Sequence, residues 1–204
     1  MSKNRLLAAV LFLSITLPYS VALADLNGAA SGPEQGEAAL QDAQEAEADR
    51  RLLEQFRAAQ LSLTQAIEIA EGLHRGSRAA AAAFELSDSA AYRITTVKSG
   101  EAWENLIDAN TGRVMGLERA SSLDEFSLDE RSNIVALRSV AQELSDAVRV
   151  AEKAASGKAF GGGLMTQEGK LHFFVVVLSD GDLKEVRLEP PKAGHKGSDL
   201  YRLR

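Results

Sequence analysis

The chain has 204 residues, a formal net charge of −6 and no cysteine. Without thiols there are no disulfides, cysteine nucleophiles or thiolate metal sites, so the fold stands on its core alone. The acidic balance argues against nucleic acid or an anionic membrane as a partner.

Lys3 and Arg5 precede an apolar run from Leu6 to Leu17, Pro18 breaks the run, and Ala22-Leu23-Ala24 supplies a small-x-small pattern. Residues 1–24 therefore read as a cleaved export signal, with Asp25 as the mature N-terminus and a periplasmic or secreted destination. The apolar run is too short for a comfortable bilayer span. Cleavage removes two positive charges and leaves a net −8. The remaining chain of about 180 residues can build one or two modest cores. Residues 25–60 read as a flexible Gly/Ser/Pro-containing tether followed by a polar helix from Glu37 to Gln60. Leu40, Leu52, Leu53 and Phe56 follow the helical period only loosely, so this helix is expected to dock weakly if at all.

Ser62 begins the first well-patterned segment. It caps a helix in a capping box with Gln65, and Leu63, Ala66, Ile67 and Ala70 recur at helical spacing. Gly76 is a plausible stop. The five alanines from Ala79 to Ala83 favour helix by local propensity. Strands follow at Ala91–Lys98 and Ala102–Ile107, joined at Ser99-Gly100. Residues 119–132 read as a linker. From Ile134 the positions Leu137, Val140, Ala141 and Leu144 read as a helix that continues into the next segment.

The chain then repeats itself. Leu63-Thr64-Gln65-Ala66-Ile67-Glu68-Ile69-Ala70-Glu71 returns as Leu144-Ser145-Asp146-Ala147-Val148-Arg149-Val150-Ala151-Glu152, an offset of 81. Carried on without a gap, the offset sets Gly76 on Gly157, Ala79 on Phe160, Tyr92 on Phe173, Gly100 on Gly181 and Asp108 on Glu189. A repeat of this kind means two copies of one small unit. Gly161 to Gly163 are hostile to helix, so the alanines are expected in a loop or at a strand start despite their propensity. Leu171–Leu178 is a strong β run with apolar residues at both parities, and so a strand covered on both sides. Asp180-Gly181 suits a tight hairpin, and Pro190-Pro191 ends the returning strand.

The fold class expected is α+β: two repeated units, each an amphipathic helix on an antiparallel sheet of about three strands. The units span 61–118 and 133–195, with a tail at 196–204.

The helix motif, the aromatic-led strand and the ending Asp108-Ala109-Asn110-Thr111-Gly112-Arg113-Val114 resemble the PepSY domain family. The second copy keeps the helix and hairpin but has Glu189-Pro190-Pro191 in place of the turn. The resemblance implies a non-enzymatic exported module that binds proteins, with restraint of an envelope or secreted peptidase as the proposed role. No peptidase domain follows in this sequence, so action in trans is expected.

No cofactor, metal set or catalytic residue is read from the chain. His74, His172 and His195 lack metal-ligand spacing, and there is no His-Glu-x-x-His or Gly-x-Ser-x-Gly motif. The cluster from Gly157 to Gly163 lacks the Gly-Lys-Ser/Thr ending of a phosphate loop and reads as a flexible connection. The positions singled out for interaction or turn formation are Trp103, Asp108, Asn110 and Gly112. Trp103 is the only tryptophan, and its counterpart is Lys184. Asp108 and Asn110 suit Asx hydrogen bonds. The rival function is a cation or small-ligand sensor, motivated by the acidic balance and the turn acids Glu101, Glu104 and Asp108.

Overall fold

A computed structural model describes residues 34–190, with no account of the side chains of residues 34–41 and 117–119. The expected export signal, the expected tether before Glu34 and the expected tail at 196–204 lie outside these residues. The helices are α1 (Glu34–Ala58), α2 (Leu63–Leu73), α3 (Leu128–Leu137) and α4 (Leu144–Ala155). The strands are β1 (Arg78–Leu86), β2 (Ala90–Lys98), β3 (Glu101–Asp108), β4 (Val114–Ser122), β5 (Lys158–Gln167), β6 (Lys170–Ser179) and β7 (Asp182–Leu188). A single 3-10 turn at Leu123–Glu125 separates β4 from α3. Among the described residues no helix is long and apolar enough to cross a membrane.

The α+β class holds, and the strands form one continuous sheet rather than two small ones. Its order is β4-β3-β2-β1-β5-β6-β7, with every neighbouring pair antiparallel. Four strands precede the middle and three follow it. The expected helix faces are buried: Leu63, Ala66, Ile67 and Ala70 of α2, and Leu144, Ala147, Val148 and Ala151 of α4, each have no exposed surface. They pack against Tyr92, Ile94, Phe173, Val175 and Val177, which alternate along β2 and β6 on one face of the sheet. β6 is covered on both sides as its sequence requires, because Val176, of opposite parity, is also buried. The capping box of Ser62 and Gln65 starts α2 as expected. Both expected hairpin turns, Ser99-Gly100 and Asp180-Gly181, hold positive φ at two consecutive residues, as does Glu168-Gly169 between β5 and β6. That conformation matches the twist of the flanking strands.

The gapless offset of 81 fails between helix and strand. Arg78 pairs with Val97 as Lys158 pairs with Leu178, and Ala82 with Ile94 as Gly162 with Val175. The helices and β2/β6 keep the offset of 81, whereas β1 and β5 are offset by 80. One residue is lost in the second connection after the helix and regained at the following hairpin. Ala79 therefore corresponds to Ala159, not Phe160. The bulged residues, where the register slips, are Ala80 and Phe160.

The alanine run is strand, against its propensity, because β1 lies between two strands that satisfy its backbone groups. The glycine cluster is strand as well, not a flexible connection. A Cβ on Gly162 would stand 2.6 Å from the Phe174 carbonyl oxygen, so only glycine allows β5 this close to β6. Three pairs join the two halves: Ala81 with Gly163, Ala82 with Gly162, and Ala83 with Gly161. Corresponding residues face each other about the central pair, so the seam has an approximate two-fold. Above it, Arg149 of α4 reaches Glu68 of α2 at 2.6 Å, and these two are also corresponding positions.

Two further expectations change. α1 does not float: Phe56 is fully buried, with its ring edge-on to Phe84 and Phe160 at 5.1 and 5.0 Å. Burying such a ring contributes about 2–3 kcal/mol, enough to outweigh a loose amphipathic pattern. Residues 119–132 are not a plain linker, since β4 runs to Ser122 and α3 begins at Leu128. Nor does α3 continue into α4. It stops at Leu137, and the chain turns before Leu144.

α1 and α3 play matching parts at the seam. A helix leaves its last carbonyls unpaired, and cations favour that end. The Lys158 ammonium donates to the carbonyls of Phe56 and Ala59 at 3.2 and 2.6 Å. The Arg78 guanidinium donates to those of Leu137, Val140 and Gln142 at 2.7, 2.9 and 2.6 Å, and to the Glu143 carboxylate at 2.8 Å. Lys158 and Arg78 correspond, as do Phe56 and Leu137. Each half thus caps the helix that precedes the other half.

Lys158→Met keeps most of the stem and removes the cation. It is expected to lower unfolding stability by about 1–3 kcal/mol, read from urea midpoints, because two carbonyls lose their donor. Arg149→Ala, which removes an exposed ion pair, is expected to change it by no more than about 1 kcal/mol.

Candidate functional site

The turn after β3 is built on Asp108. Its Oδ1 accepts from the backbone N–H of Asn110 at 3.0 Å, and from the N–H and hydroxyl of Thr111 at 2.7 and 2.9 Å. These donors, the Thr111 N–H foremost, hold the Asp108 carboxyl below its ordinary pKa. The Asp108 carbonyl accepts from the Gly112 N–H at 2.9 Å. Gly112 has φ 71°, and a Cβ there would approach the Ile69 methyl to 3.2 Å. Ala109 is fully buried, donates to the Ala90 carbonyl and accepts from the Leu61 N–H, both at 2.9 Å. The Tyr92 hydroxyl donates to the Leu61 carbonyl at 2.9 Å. The turn thus clamps the chain entering α2 onto the ends of β2 and β3.

Trp103 lies near the other end of β3, opposite Thr96 and Ala120. It is half-buried and stacks on His74 just past the end of α2, with ring centroids 4.2 Å apart and planes 17° apart. The four positions singled out in the sequence therefore do not form one site. Asp108, Asn110 and Gly112 share a turn, and Trp103 stands some five residues along the strand. At a rise of about 3.4 Å per residue that is roughly 17 Å away. Glu104, another of the turn acids, is on the same strand but pairs with Arg93, which also bridges to Glu85 at 2.6 Å. This ion triplet crosses β1, β2 and β3.

Sequence reasoning missed the carboxylates that link helix to strand. The Oε1 of Glu71 accepts from the Ala79 N–H at 2.8 Å, and that of Glu152 from the Ala159 N–H at 2.9 Å. Each acid ends its copy of the repeated helix motif, and each satisfies the N–H beside the bulge. The recurring Ala-Glu in both copies is the signal that could have found them. Burial foremost raises the Glu71 pKa, with the Glu143 charge adding to it and the Ala79 N–H opposing. Burial likewise lowers that of Lys158.

Sequence reasoning also missed a groove of about 820 Å³ between α1 and the middle of the sheet. Leu52, Ala81, Ala83, Phe84, Phe160 and Phe174 line it, with Thr95 and Arg93 on the β2 side and Glu47 and Arg51 on the helix. Glu47 pairs with Arg51 at 2.8 Å and Arg93 with Glu85 at 2.6 Å, so these charges along the groove are paired with one another or with a neighbouring strand. Among the described residues no three His, Cys, Asp or Glu side chains group as a metal set would. His172 lies in β6, and His195 lies outside the described residues.

Residues 60–118 match the family PepSY, described as "Peptidase propeptide and YPEB domain". Among solved structures, a "putative lipoprotein" from Clostridium difficile 630 aligns over 72% of this chain and 93% of its own, at 17% identity and a TM-score of 0.40. No curated protein matches the chain.

Glu71 supplies a pH test. Its raised folded pKa penalises the ionised form in the native state. That penalty is absent below the ordinary carboxylate range near pH 4, where both states are protonated. It is fully present once the pH exceeds the raised folded value. Glu71→Gln keeps an acceptor for Ala79 without the charge. The stability of this variant relative to wild type is therefore expected to rise between about pH 4 and pH 7, in urea unfolding at matched ionic strength. A difference constant with pH would contradict the assignment.

Proposed function

We propose that this chain, whose residues 60–118 match the PepSY family, is a non-catalytic exported protein that works by binding another protein. On this reading residues 133–195 are a second, diverged unit of the same kind, and the specific role is restraint of an envelope or secreted peptidase in trans. The observation that carries the reading is how the charged groups at the seam are used. Arg78, Lys158, Glu71 and Glu152 each hold a backbone group of the scaffold, which is what a rigid binding surface requires of them. Asp108, a starting point for the cation-sensor alternative, spends one oxygen on three donors of its own turn.

The β1–β5 pairing consumes the edge that each unit would otherwise leave open at the seam. The surfaces left for a partner are the outer edges and the groove beneath α1. Export is tested by N-terminal sequencing of the mature protein from the periplasmic or culture fraction, with Asp25 expected first. Retention of the full-length Met1 form would contradict it. Peptidase restraint is tested by adding purified mature protein to an envelope extract. Recovery of a bound peptidase and slowed peptide hydrolysis are expected, whereas unchanged hydrolysis with no peptidase recovered would sink that role.

A further inference from the structure

The two outer strands of the sheet are not alike. β4 pairs with β3 through a break in register between Glu104 and Leu106, and such a bulge turns an edge away from further pairing. β7 runs unbroken beside β6, from Asp182 opposite Ser179 to Leu188 opposite Phe173. Among the described residues no strand pairs with its outer side. A regular edge of this kind presents a row of backbone donors and acceptors to any strand that fits it.

The side chains of β7 specify which strand fits. Glu185 and Arg187 flank Val186 and share the face opposite to it. Arg187 Nε donates to Glu185 Oε1, and its Nη1 to Gln167 Oε1 at 2.6 Å. Arg187 Nη2 and Glu185 Oε2 have no hydrogen-bond partner among these contacts, so half of each group remains for something beyond the edge.

We propose that β7 pairs antiparallel with β7 of a second copy about a two-fold through Val186. This pairing takes one of the two outer edges that the seam leaves open. Directly opposed residues in an antiparallel pair share a face. In this register Val186 meets Val186, Glu185 meets Arg187 of the second copy, Arg187 meets its Glu185, and Lys184 meets Leu188. Moving the centre to Glu185 or Lys184 sets like charges face to face, which is destabilising. The chain already joins its own halves in this manner, with β1 and β5 antiparallel about an approximate two-fold through Ala82 and Gly162. The strip is short, below the ~1,200 Å² of a standard interface, so the association is weak and concentration-dependent.

Sedimentation equilibrium of the mature chain, up to about 1 mM, tests this. Wild type is expected to shift from monomer to dimer across the range. Glu185→Arg and Arg187→Glu each place like charges in register and are expected to stay monomeric. The double reversal Glu185→Arg/Arg187→Glu restores both pairs and is expected to dimerise again, and the two single variants mixed together are expected to form a heterodimer. A wild type monomeric throughout, or single reversals that dimerise like wild type, would overturn the proposal. A monomeric wild type that dimerises once residues 191–204 are deleted would also overturn it, because the native edge would then belong to the tail.

Discussion

Three residue pairs at the centre of the sheet hold the two halves of this protein together, and nearly every other feature follows from how they are supported. Ala81, Ala82 and Ala83 face Gly163, Gly162 and Gly161. Alanine and glycine are poor strand formers with little side chain to pack, so the seam draws little strength from its own residues. Its support comes from outside: Phe56 lodged between Phe84 and Phe160, and a cation from each half on the helix end that precedes the other. The small residues are needed because backbones approach closely there, with the Phe174 carbonyl where a Cβ of Gly162 would sit.

This arrangement makes α1 and α3 part of the fold. Each has an apolar plug and a capped C-terminus at corresponding positions, Phe56 with Ala59 and Leu137 with Val140. Because each cap crosses the seam, neither half has its full set of hydrogen bonds without the other. The opposite charges Glu68 and Arg149 stand at corresponding positions above the seam, where two identical halves would have placed like charges. The same joining consumes the inner edges and leaves β4 and β7 outermost, so the surfaces open to partners are fixed by the seam.

Much of this was legible locally. The helical spacing of Leu63, Ala66, Ile67 and Ala70, the Ser62–Gln65 box and the Ser99-Gly100 and Asp180-Gly181 turns depend on neighbours within a few residues, and each forms as its pattern requires. The Asp108 turn was equally readable, since its bonds span two or three residues. What escaped was long-range. The burial of Phe56 depends on rings at Phe84 and Phe160, and the β state of Ala79–Ala83 depends on β2 and β5. The one-residue slip between copies shows only in the strand register, because glycine and alanine runs carry too little side-chain information to align by sequence.

By itself, then, the sequence determined the amphipathic helices α2 and α4, the Ser62 cap, the hairpin turns, and the alternation that buries one helix face. These rest on backbone preference and on periodicity over a few turns, which a single segment contains. Only the tertiary structure decided that the two halves share one sheet and that Lys158 and Arg78 each cap the helix preceding the other's half. Those outcomes rest on contacts between residues as far as about a hundred positions apart. No local pattern encodes them, because the partner that satisfies a carbonyl or fills a gap is known only once both halves are in place.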